Sequence, residues 1–275
     1  MRLDYLAAGL VLALLASSAA HAAEAQGDSK GLTNPFFPYC VTVPDAKLAE
    51  LGYTPIPNIY TGFHTEKTPP HDPKLPDRIR ALKGTNTVFW LTVNGNRAKE
   101  EETDAKAAEI LRRLGDAAAE AGVTISVYPH TGNYVATTRE GIRLVQKVNH
   151  KAVGLTLNLC HELMNDQGPE LDKILEEAAP YLMVVTVNGA DKKEKGQRMG
   201  WDRLIQPLGK GSFDVYAFLR KVKAIGFRGP IGLQCYNLPG AMGGKAGDPM
   251  GHLTESARAW KDYSARLAAE EAQHN

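Results

Sequence analysis

The 275-residue sequence is poor in the features that mark several common protein classes. Its three cysteines are too few and too odd in number for a disulfide framework. Cys40, Cys160 and Cys235 each lie in an apolar run, where a cysteine is usually a small buried hydrophobe. Neither sign of charge is in excess, since 32 basic residues oppose 31 acidic ones. No global field therefore points to nucleic acid or to an anionic membrane, and a small neutral or weakly charged ligand fits better.

The N-terminus has the pattern of a secretory signal peptide. Arg2 precedes an apolar run from Leu6 to Leu15, and Ala20-His21-Ala22 has the small-x-small form of a signal-peptidase site. We predict that residues 1–22 are removed and that the protein is exported to the periplasm or the medium. Residues 23–33 then form a flexible lead-in, and residues 34–275 a single domain. Asp4 is atypical of a signal peptide, so a retained anchor is the alternative, although the run is short for a bilayer.

Apolar runs and helix-like segments alternate along the rest of the chain, which is 43% hydrophobic and can bury a sizeable core. This alternation predicts a parallel sheet covered by helices, either a TIM-type (β/α)8 barrel or a doubly wound sheet. A closed barrel of this type needs eight strands, whereas the sequence offers seven. The barrel is therefore either incomplete in its first third or has an irregular strand there. The predicted strands are Phe36–Val41, Ile56–Phe63, Thr87–Gly95, Val123–Tyr128, Val153–Glu162, Leu182–Val187 and Ile231–Gln234.

Polar residues follow the predicted strands at their carboxyl ends. Because parallel strands share one direction, these ends meet at one mouth of a barrel, where active sites are built. The alternative for each residue is a structural role, since Asn and Gly also end strands and begin turns. The set comprises His64, Asn94, His130, Asn158, His161 with Glu162, Asn188, and Gln234 with Tyr236.

Two long loops complete the predicted mouth. The loop from Ala190 to Gly211 carries Trp201, Arg203 and Gln206, which would form a wall over the pocket, or else pack on the barrel rim. The glycine-rich loop from Asn237 to Gly251 lacks the phosphate-binding Gly-x-x-x-x-Gly-Lys-Ser/Thr pattern and is predicted to be a mobile lid.

Four segments resemble the last four strands of the xylose-isomerase-like TIM-barrel family, which includes sugar phosphate isomerases and epimerases. The resemblance spans roughly residues 34–270 and is poor before Thr87. There the family would have a further strand and helix between Gly52 and the segment that begins at Asn58, in agreement with the count of seven strands. The four segments are Val123–His130, Val153–His161, Leu182–Asp191 and Pro230–Tyr236.

The resemblance implies a divalent metal held by Glu, Asp, His and Glu from four successive strand ends. The matching positions here are Tyr128, Asn158, Thr186 and Gln234, all uncharged. A hard divalent ion needs anionic oxygen or imidazole ligands, and amides alone hold it poorly. We therefore expect no cofactor and no tightly bound metal of the family's type. The alternative is zinc or manganese, with zinc held by His130, His161 and Glu162.

The resemblance implies a carbohydrate ligand. The balanced charge predicts no nucleic-acid partner, and we expect no membrane partner after signal cleavage. One hypothesis is an enzyme that isomerises, epimerises or eliminates by metal-independent proton transfer beside a sugar carbonyl. His130 and His161 would be its acid and base, with Glu162 as their partner. The other is a carbohydrate-binding protein without catalysis. In either case the expected substrate-binding residues are His64, Asn94, Asn158, Asn188, Trp201, Arg203, Gln234 and Tyr236.

Overall fold

The computed structural model describes residues 31–274. The predicted signal peptide and most of the predicted lead-in lie outside these residues. Seven parallel strands form one sheet in the order β1-β7-β6-β5-β4-β3-β2. The strands are β1 (Phe36–Tyr39), β2 (Asn58–His64), β3 (Val88–Asn94), β4 (Ile125–Val127), β5 (Val153–Asn158), β6 (Leu182–Val187) and β7 (Ile231–Gln234).

Helices follow the strands in sequence and cover the outer face of the sheet, where the larger apolar clusters of the core lie. None of the helices in residues 31–274 is both long and apolar enough to cross a membrane. They are α1 (Asp45–Leu51), α2 (Leu75–Arg80), α3 (Glu100–Ala121), α4 (Thr138–Val148), α5 (Leu159–Met164), α6 (Leu171–Ala178), α7 (Trp201–Leu204), α8 (Val215–Ala224) and α9 (Met250–His274).

The sheet curls into an incomplete TIM barrel, which confirms the predicted fold class and the count of seven strands. β1 pairs only with β7, and β2 pairs only with β3, so within the described residues no ladder joins β1 to β2. This gap lies at the position where the sequence lacks a strand and a helix relative to the family. Between the two strands, Ile56 fills part of the barrel interior.

Aromatic side chains fill the lower part of the barrel interior. Trp90 on β3 is fully buried, with its ring centroid 5.9 Å from that of Phe37 and 4.6 Å from that of Tyr39, both on β1. Its indole Nε1 donates to Thr156 Oγ1 at 3.0 Å, and Thr156 is in turn 2.6 Å from Ser126 Oγ. This layer closes the interior and leaves only the upper part open.

Two predicted elements differ in the structure. The predicted strand Val153–Glu162 ends at Asn158, and the chain continues directly as α5, so Cys160, His161 and Glu162 are helical. The cause is the spacing of Leu159, Cys160 and Leu163, which are all buried in the outer core. In a helix these three residues lie on one side, whereas in a strand Cys160 would point away from Leu159 and Leu163. The predicted structureless loop Ala190–Gly211 likewise contains α7, whose Leu204 is buried in the same core.

Candidate active site

A cavity of about 460 Å³ lies inside the open part of the barrel. Most of its walls come from the carboxyl ends of strands and the loops that follow them, as predicted for the mouth. Of the predicted residues, the structure brings five together here: His130, His161, Trp201, Gln234 and Tyr236. The other lining residues are Tyr39, Cys40, Asn58, Tyr60, Trp90, Tyr128, Ile205 and Met242.

Two histidines lie in contact in one wall of this cavity. His130 follows β4 and His161 lies on α5, and their ring centroids are 4.2 Å apart. Trp201 on α7 packs edge-on against His161 with centroids 5.2 Å apart. The pair is thus held in a fixed orientation between an aromatic side chain and the strand ends.

The backbone of Thr131 assigns opposite tautomers to the two rings. His130 Nδ1 is 2.8 Å from the Thr131 carbonyl oxygen, which can only accept, so this nitrogen carries the proton. His161 Nδ1 is 3.1 Å from the Thr131 backbone nitrogen and accepts its N–H, so here the proton is on Nε2. Neither Nε2 has a hydrogen-bond partner among the described residues. The two rings that line the cavity therefore carry one imidazole lone pair and one imidazole N–H without a partner among the described residues.

Both histidines are neutral at physiological pH. Burial, and to a lesser extent the neighbouring His130, lowers the pKa of His161 to about 3. Burial also lowers the pKa of His130, against a smaller opposing effect of its bond to the Thr131 carbonyl. A buried imidazolium without a carboxylate partner is poorly stabilised, so the neutral form of each ring is favoured.

Hydroxyl and amide groups form the floor below the histidines. Tyr39 and Tyr128 place their hydroxyl oxygens 3.2 Å apart, and Gln234 Nε2 lies 3.4 Å from the Tyr128 oxygen. Burial raises the pKa of both tyrosines well above the usual value, so both remain neutral donors and acceptors. Such groups suit the hydroxyls of a polar uncharged ligand.

Glu162 is not brought to the histidine pair. Its side chain is fully buried, and Oε1 accepts from the backbone N–H of Thr138 at 2.7 Å and from the Thr138 hydroxyl at 2.9 Å. Thr138 is the first residue of α4, so the carboxyl satisfies a free donor at that helix start. Burial, partly offset by the Thr138 bonds, raises the pKa of Glu162 to about 7. The position is one of structural support behind the site.

Two predicted asparagines lie behind the cavity wall. Asn158 Oδ1 accepts from Cys160 Sγ at 3.2 Å and from Thr186 Oγ1 at 3.0 Å, and the side chain is fully buried. Asn188 Nδ2 donates to the carbonyl oxygens of Gly189 at 2.7 Å and Leu204 at 2.6 Å, and so ties β6 to α7. Asn188 therefore acts on the site through Trp201, which α7 carries.

Three further predicted residues lie on the rim, outside the cavity lining. His64 accepts the backbone N–H of Glu66 at 3.2 Å, and Asn94 is a half-buried residue at the end of β3. Arg203 forms an exposed ion pair with Asp191. His64 and Asn94 are the last residues of β2 and β3 and Arg203 lies on α7, and none of the three lines the cavity.

The sequence reasoning missed most of the aromatic lining. Tyr39, Tyr60, Trp90 and Tyr128 lie in or directly after strands and point to the interior, whereas only polar residues past the strand ends were selected. The detectable signal was the alternation within β2 and β3, in which every second residue faces the same side of the sheet. Cys40, Ile205 and Met242 carry no sequence signal that separates them from core residues.

The residues at the family's metal positions do not fit a divalent ion. The Tyr128 hydroxyl bonds to Tyr39 and accepts from Gln234 Nε2, and Asn158 Oδ1 accepts from Cys160 and Thr186. No group of three or more His, Cys, Asp or Glu side chains in residues 31–274 is arranged to hold a metal. The alternative zinc set is not assembled either, because Glu162 bonds to Thr138. The site offers neutral oxygens where a cation needs anionic ones.

Comparison with solved structures shows the same fold at low sequence identity. A 3-keto-D-glucoside 4-epimerase from E. coli matches with a TM-score of 0.55 and 17% identity, over 82% of each chain. The D-psicose 3-epimerase of Clostridium cellulolyticum matches with a TM-score of 0.54 and 16% identity, over 85% of this chain and 98% of the epimerase chain. An IolI protein with a bound zinc atom matches with a TM-score of 0.53 and 17% identity, over 86% of this chain and 98% of the IolI chain. At these identities the likeness concerns the fold.

No curated protein sequence matches the chain significantly. The sequence model of the xylose isomerase-like TIM barrel matches residues 74–263, which is more than half of the chain. The matched region includes β3 to β7 and both histidines of the pair. The chain therefore belongs to the xylose isomerase-like TIM-barrel family.

Proposed function

We propose that the protein is a sugar isomerase, epimerase or lyase that transfers a proton beside a sugar carbonyl without a metal. The observation that carries this proposal is the pair of opposite tautomers at His130 and His161. A proton abstraction next to a carbonyl needs a base at the carbon and a hydrogen-bond donor at the oxygen. The two Nε2 atoms supply these two groups side by side.

In the proposed step, the lone pair of His130 Nε2 removes the proton from the carbon next to the carbonyl. The electron pair of the broken C–H bond forms a carbon–carbon double bond, and the carbonyl π pair moves onto oxygen. The N–H of His161 Nε2 donates to that oxygen and stabilises its charge. Return of the proton to the same carbon from the opposite face gives an epimer. Delivery of the proton to the former carbonyl carbon gives an isomer, when the hydroxyl proton of the neighbouring carbon moves to the enolate oxygen and the carbonyl re-forms on that neighbour. Elimination results when the carbonyl re-forms in place and a group on the next carbon leaves with its bonding electron pair.

Neutral histidines suit this role, because a neutral imidazole has both a lone pair that accepts a proton and an N–H that donates a hydrogen bond. The pKa of His130 is lowered, so its lone pair is free over a wider range of acidic pH than that of an ordinary histidine. The low pKa of His161 keeps that ring neutral, and its single Nε2–H is then directed into the cavity. The uncharged floor of Tyr39, Tyr128 and Gln234 would bind the remaining hydroxyls of the sugar.

Replacement of His130 tests this assignment. His130→Gln should lower turnover of an accepted keto or aldo sugar by about 100-fold or more, since general base catalysis contributes that much. His150→Gln is the matched control, because His150 precedes β5 at the opposite end of the barrel and bonds to Ala152 and Asp116. Undiminished turnover of every accepted sugar by the double variant His130→Gln, His161→Gln would contradict the proposal.

A second candidate function is carbohydrate binding without catalysis. It is favoured by the loss of all four metal-ligand identities at Tyr128, Asn158, Thr186 and Gln234, whose side chains are instead buried in a neutral network. A bound sugar that is recovered chemically unchanged, with no exchange of carbon-bound protons, would support it over the enzyme.

We also propose that the protein is exported, on the basis of Arg2, the apolar run Leu6–Leu15 and Ala20-His21-Ala22. Expression of the full chain in a secreting bacterial host should yield protein outside the cytoplasm whose first residue is Ala23. N-terminal sequencing checks this. Cell-retained protein that still begins at Met1 would instead indicate an uncleaved segment.

A further inference from the structure

The cavity is asymmetric around the barrel axis. From most strands only the carboxyl end or the following loop reaches it, but β2 contributes Asn58 and Tyr60 and β3 contributes Trp90, which lie in the first halves of those two strands. The neighbouring wall across the gap is Tyr39 and Cys40, at the end of β1. The cavity therefore extends down the side of the barrel between β1 and β2, where the sheet is not closed.

Large apolar side chains are exposed at this side opening. Tyr60 is 53% exposed and Met242 is 65% exposed, and both also line the cavity. In the described residues the only other exposed large hydrophobic is Ile59, at 37%, which is the neighbour of Tyr60 on β2 and is not part of the lining. Exposed apolar groups that continue a binding cavity are typical of a ligand subsite.

Tyr60 connects the opening to the histidine pair. Its ring packs edge-on against Tyr128 with centroids 5.3 Å apart, and it lies 6.5 Å from His130. Tyr128 in turn lies 6.0 Å from His161. An aromatic wall thus runs from the candidate catalytic groups to the outside, and a ligand can contact it along its length.

The lining of the cavity and its opening has no lysine, arginine, aspartate or glutamate. A phosphate or carboxylate on the ligand would find no counter-charge there, and its burial would be costly. The ligand that fits is uncharged along its whole length.

We propose that the substrates are neutral glycosides whose reacting sugar carries a keto group on a ring carbon, since the anomeric carbon of a glycoside is an acetal and offers no carbonyl. The reacting sugar would lie beside His130 and His161, and the aglycone or second sugar in the gap between β1 and β2, against Tyr60 and Met242. This inference rests on the proposed function and adds the substrate class. A free monosaccharide fills only the inner part of the cavity and leaves the side opening to solvent. In this proposal, the opening between β1 and β2 is the space that accepts the larger substrate.

Binding of matched ligand pairs tests this substrate class. The probes are glucose and galactose with their phenyl α- and β-glycosides, and dissociation constants are measured by titration calorimetry. A phenyl glycoside should bind about tenfold more tightly than its free sugar, because it adds aromatic and apolar contacts. Tyr60→Ala should remove most of this ratio, because it should weaken binding of the phenyl glycoside more than binding of the free sugar.

Ile59→Ala is the matched control, because alternate residues of a strand face opposite sides and Ile59 does not line the cavity. It should keep the ratio. Met242→Ala, at an exposed loop position, is the second variant should Tyr60→Ala fold poorly, and it should also lower the ratio. Equal constants for sugar and glycoside in the wild type, or a ratio that survives in both Tyr60→Ala and Met242→Ala, would overturn the inference.

The two proposals fail in different ways. Tight, Tyr60-dependent glycoside binding without any proton exchange would overturn the catalytic proposal and leave the subsite standing. Proton exchange on free sugars, with no tighter binding of glycosides, would overturn the subsite and leave the catalytic proposal standing. Failure of all sugars and glycosides to bind would overturn both.

Discussion

Thr131 is the residue that determines the chemistry of the histidine pair. Its N–H and its C=O point to different rings, so a single peptide segment makes one histidine an acceptor and the other a donor toward the cavity. Asn165 supports this segment, because its Nδ2 donates to Thr131 Oγ1 at 2.9 Å and to the His161 carbonyl oxygen at 2.7 Å. The roles of the pair are therefore fixed before any ligand binds.

The pKa of His161 predicts its behaviour in solution. Since burial lowers this pKa to about 3, the ring should stay neutral as the pH falls from about 8 to about 5. Its carbon-bound protons, followed by heteronuclear NMR, should not shift over that range, and its nitrogen shifts should report an Nε2–H tautomer. A titration with a midpoint near the ordinary 6.5 would contradict the assignment.

Glu162 gives a second prediction at the residue scale. Its pKa is raised from 4.5 to about 7, so the folded protein keeps a proton that the unfolded chain has already lost. The contribution of this group to stability is full below pH 4.5 and is lost as the pH rises through 7. The free energy of unfolding of Glu162→Gln relative to wild type should therefore rise by about 3 kcal/mol across that range.

Urea unfolding at a series of pH values measures this difference, with Glu109→Gln on the exposed face of α3 as the matched control. Parallel pH profiles for wild type and Glu162→Gln would show that the carboxyl is not perturbed. The prediction concerns stability alone, since Glu162 bonds to α4 and lies outside the cavity.

At the scale of the elements, Asn188 holds α7 in place. Asn94-Gly95 and Asn188-Gly189 follow β3 and β6 in the same way, yet only Asn188 bonds to a distant carbonyl, that of Leu204. Asn188→Ala removes both donors from buried carbonyl oxygens and should cost about 1–3 kcal/mol of stability. Asn94→Ala, at the equivalent place on β3, should cost less.

The Asn188 variant should also release Trp201. Trp90 and Trp260 are buried, so an increase in the fluorescence accessible to acrylamide would come from Trp201. We expect this increase in Asn188→Ala and not in Asn94→Ala. Unchanged quenching in Asn188→Ala would show that α7 is held by its core contact through Leu204 instead.

The sequence was most informative where one signal determined an element. Apolar runs bounded by turns placed β6 and β7 at their observed bounds. It was least informative at the end of β5, where Leu157 and Leu159 are buried in the same core although one is in the strand and the other in α5. A local pattern of apolar residues does not distinguish these two conformations.

The same limit applies to the site. His130 and His161 were predicted because polar residues after strands are visible in a sequence. Tyr60 was not, because only polar residues past the strand ends were selected. The alternation in β2 indicates which face Tyr60 lies on, but its exposure depends on the absence of a neighbouring strand. Asn188 and Glu162 were selected by the same rule as the histidines. In the structure, however, Asn188 bonds to the Leu204 carbonyl and Glu162 bonds to Thr138, so neither side chain lines the cavity.

On the scale of the whole molecule, two departures from a complete metal-binding barrel occur together. The sheet is open between β1 and β2, and the positions that would hold a metal carry neutral side chains that bond to one another. A neutral interior with a side opening suits a neutral, extended ligand. The catalytic proposal then depends on imidazole groups alone.

The most direct test of this account is exchange of a substrate proton with deuterated solvent, measured by NMR on protein dialysed against a chelator. We predict that one carbon-bound proton of an accepted sugar or glycoside is replaced by deuterium, at a rate that added zinc, manganese or magnesium does not raise, and that His130→Gln abolishes the exchange. Exchange that appears only after metal is restored, or no exchange with any ligand that binds, would contradict it.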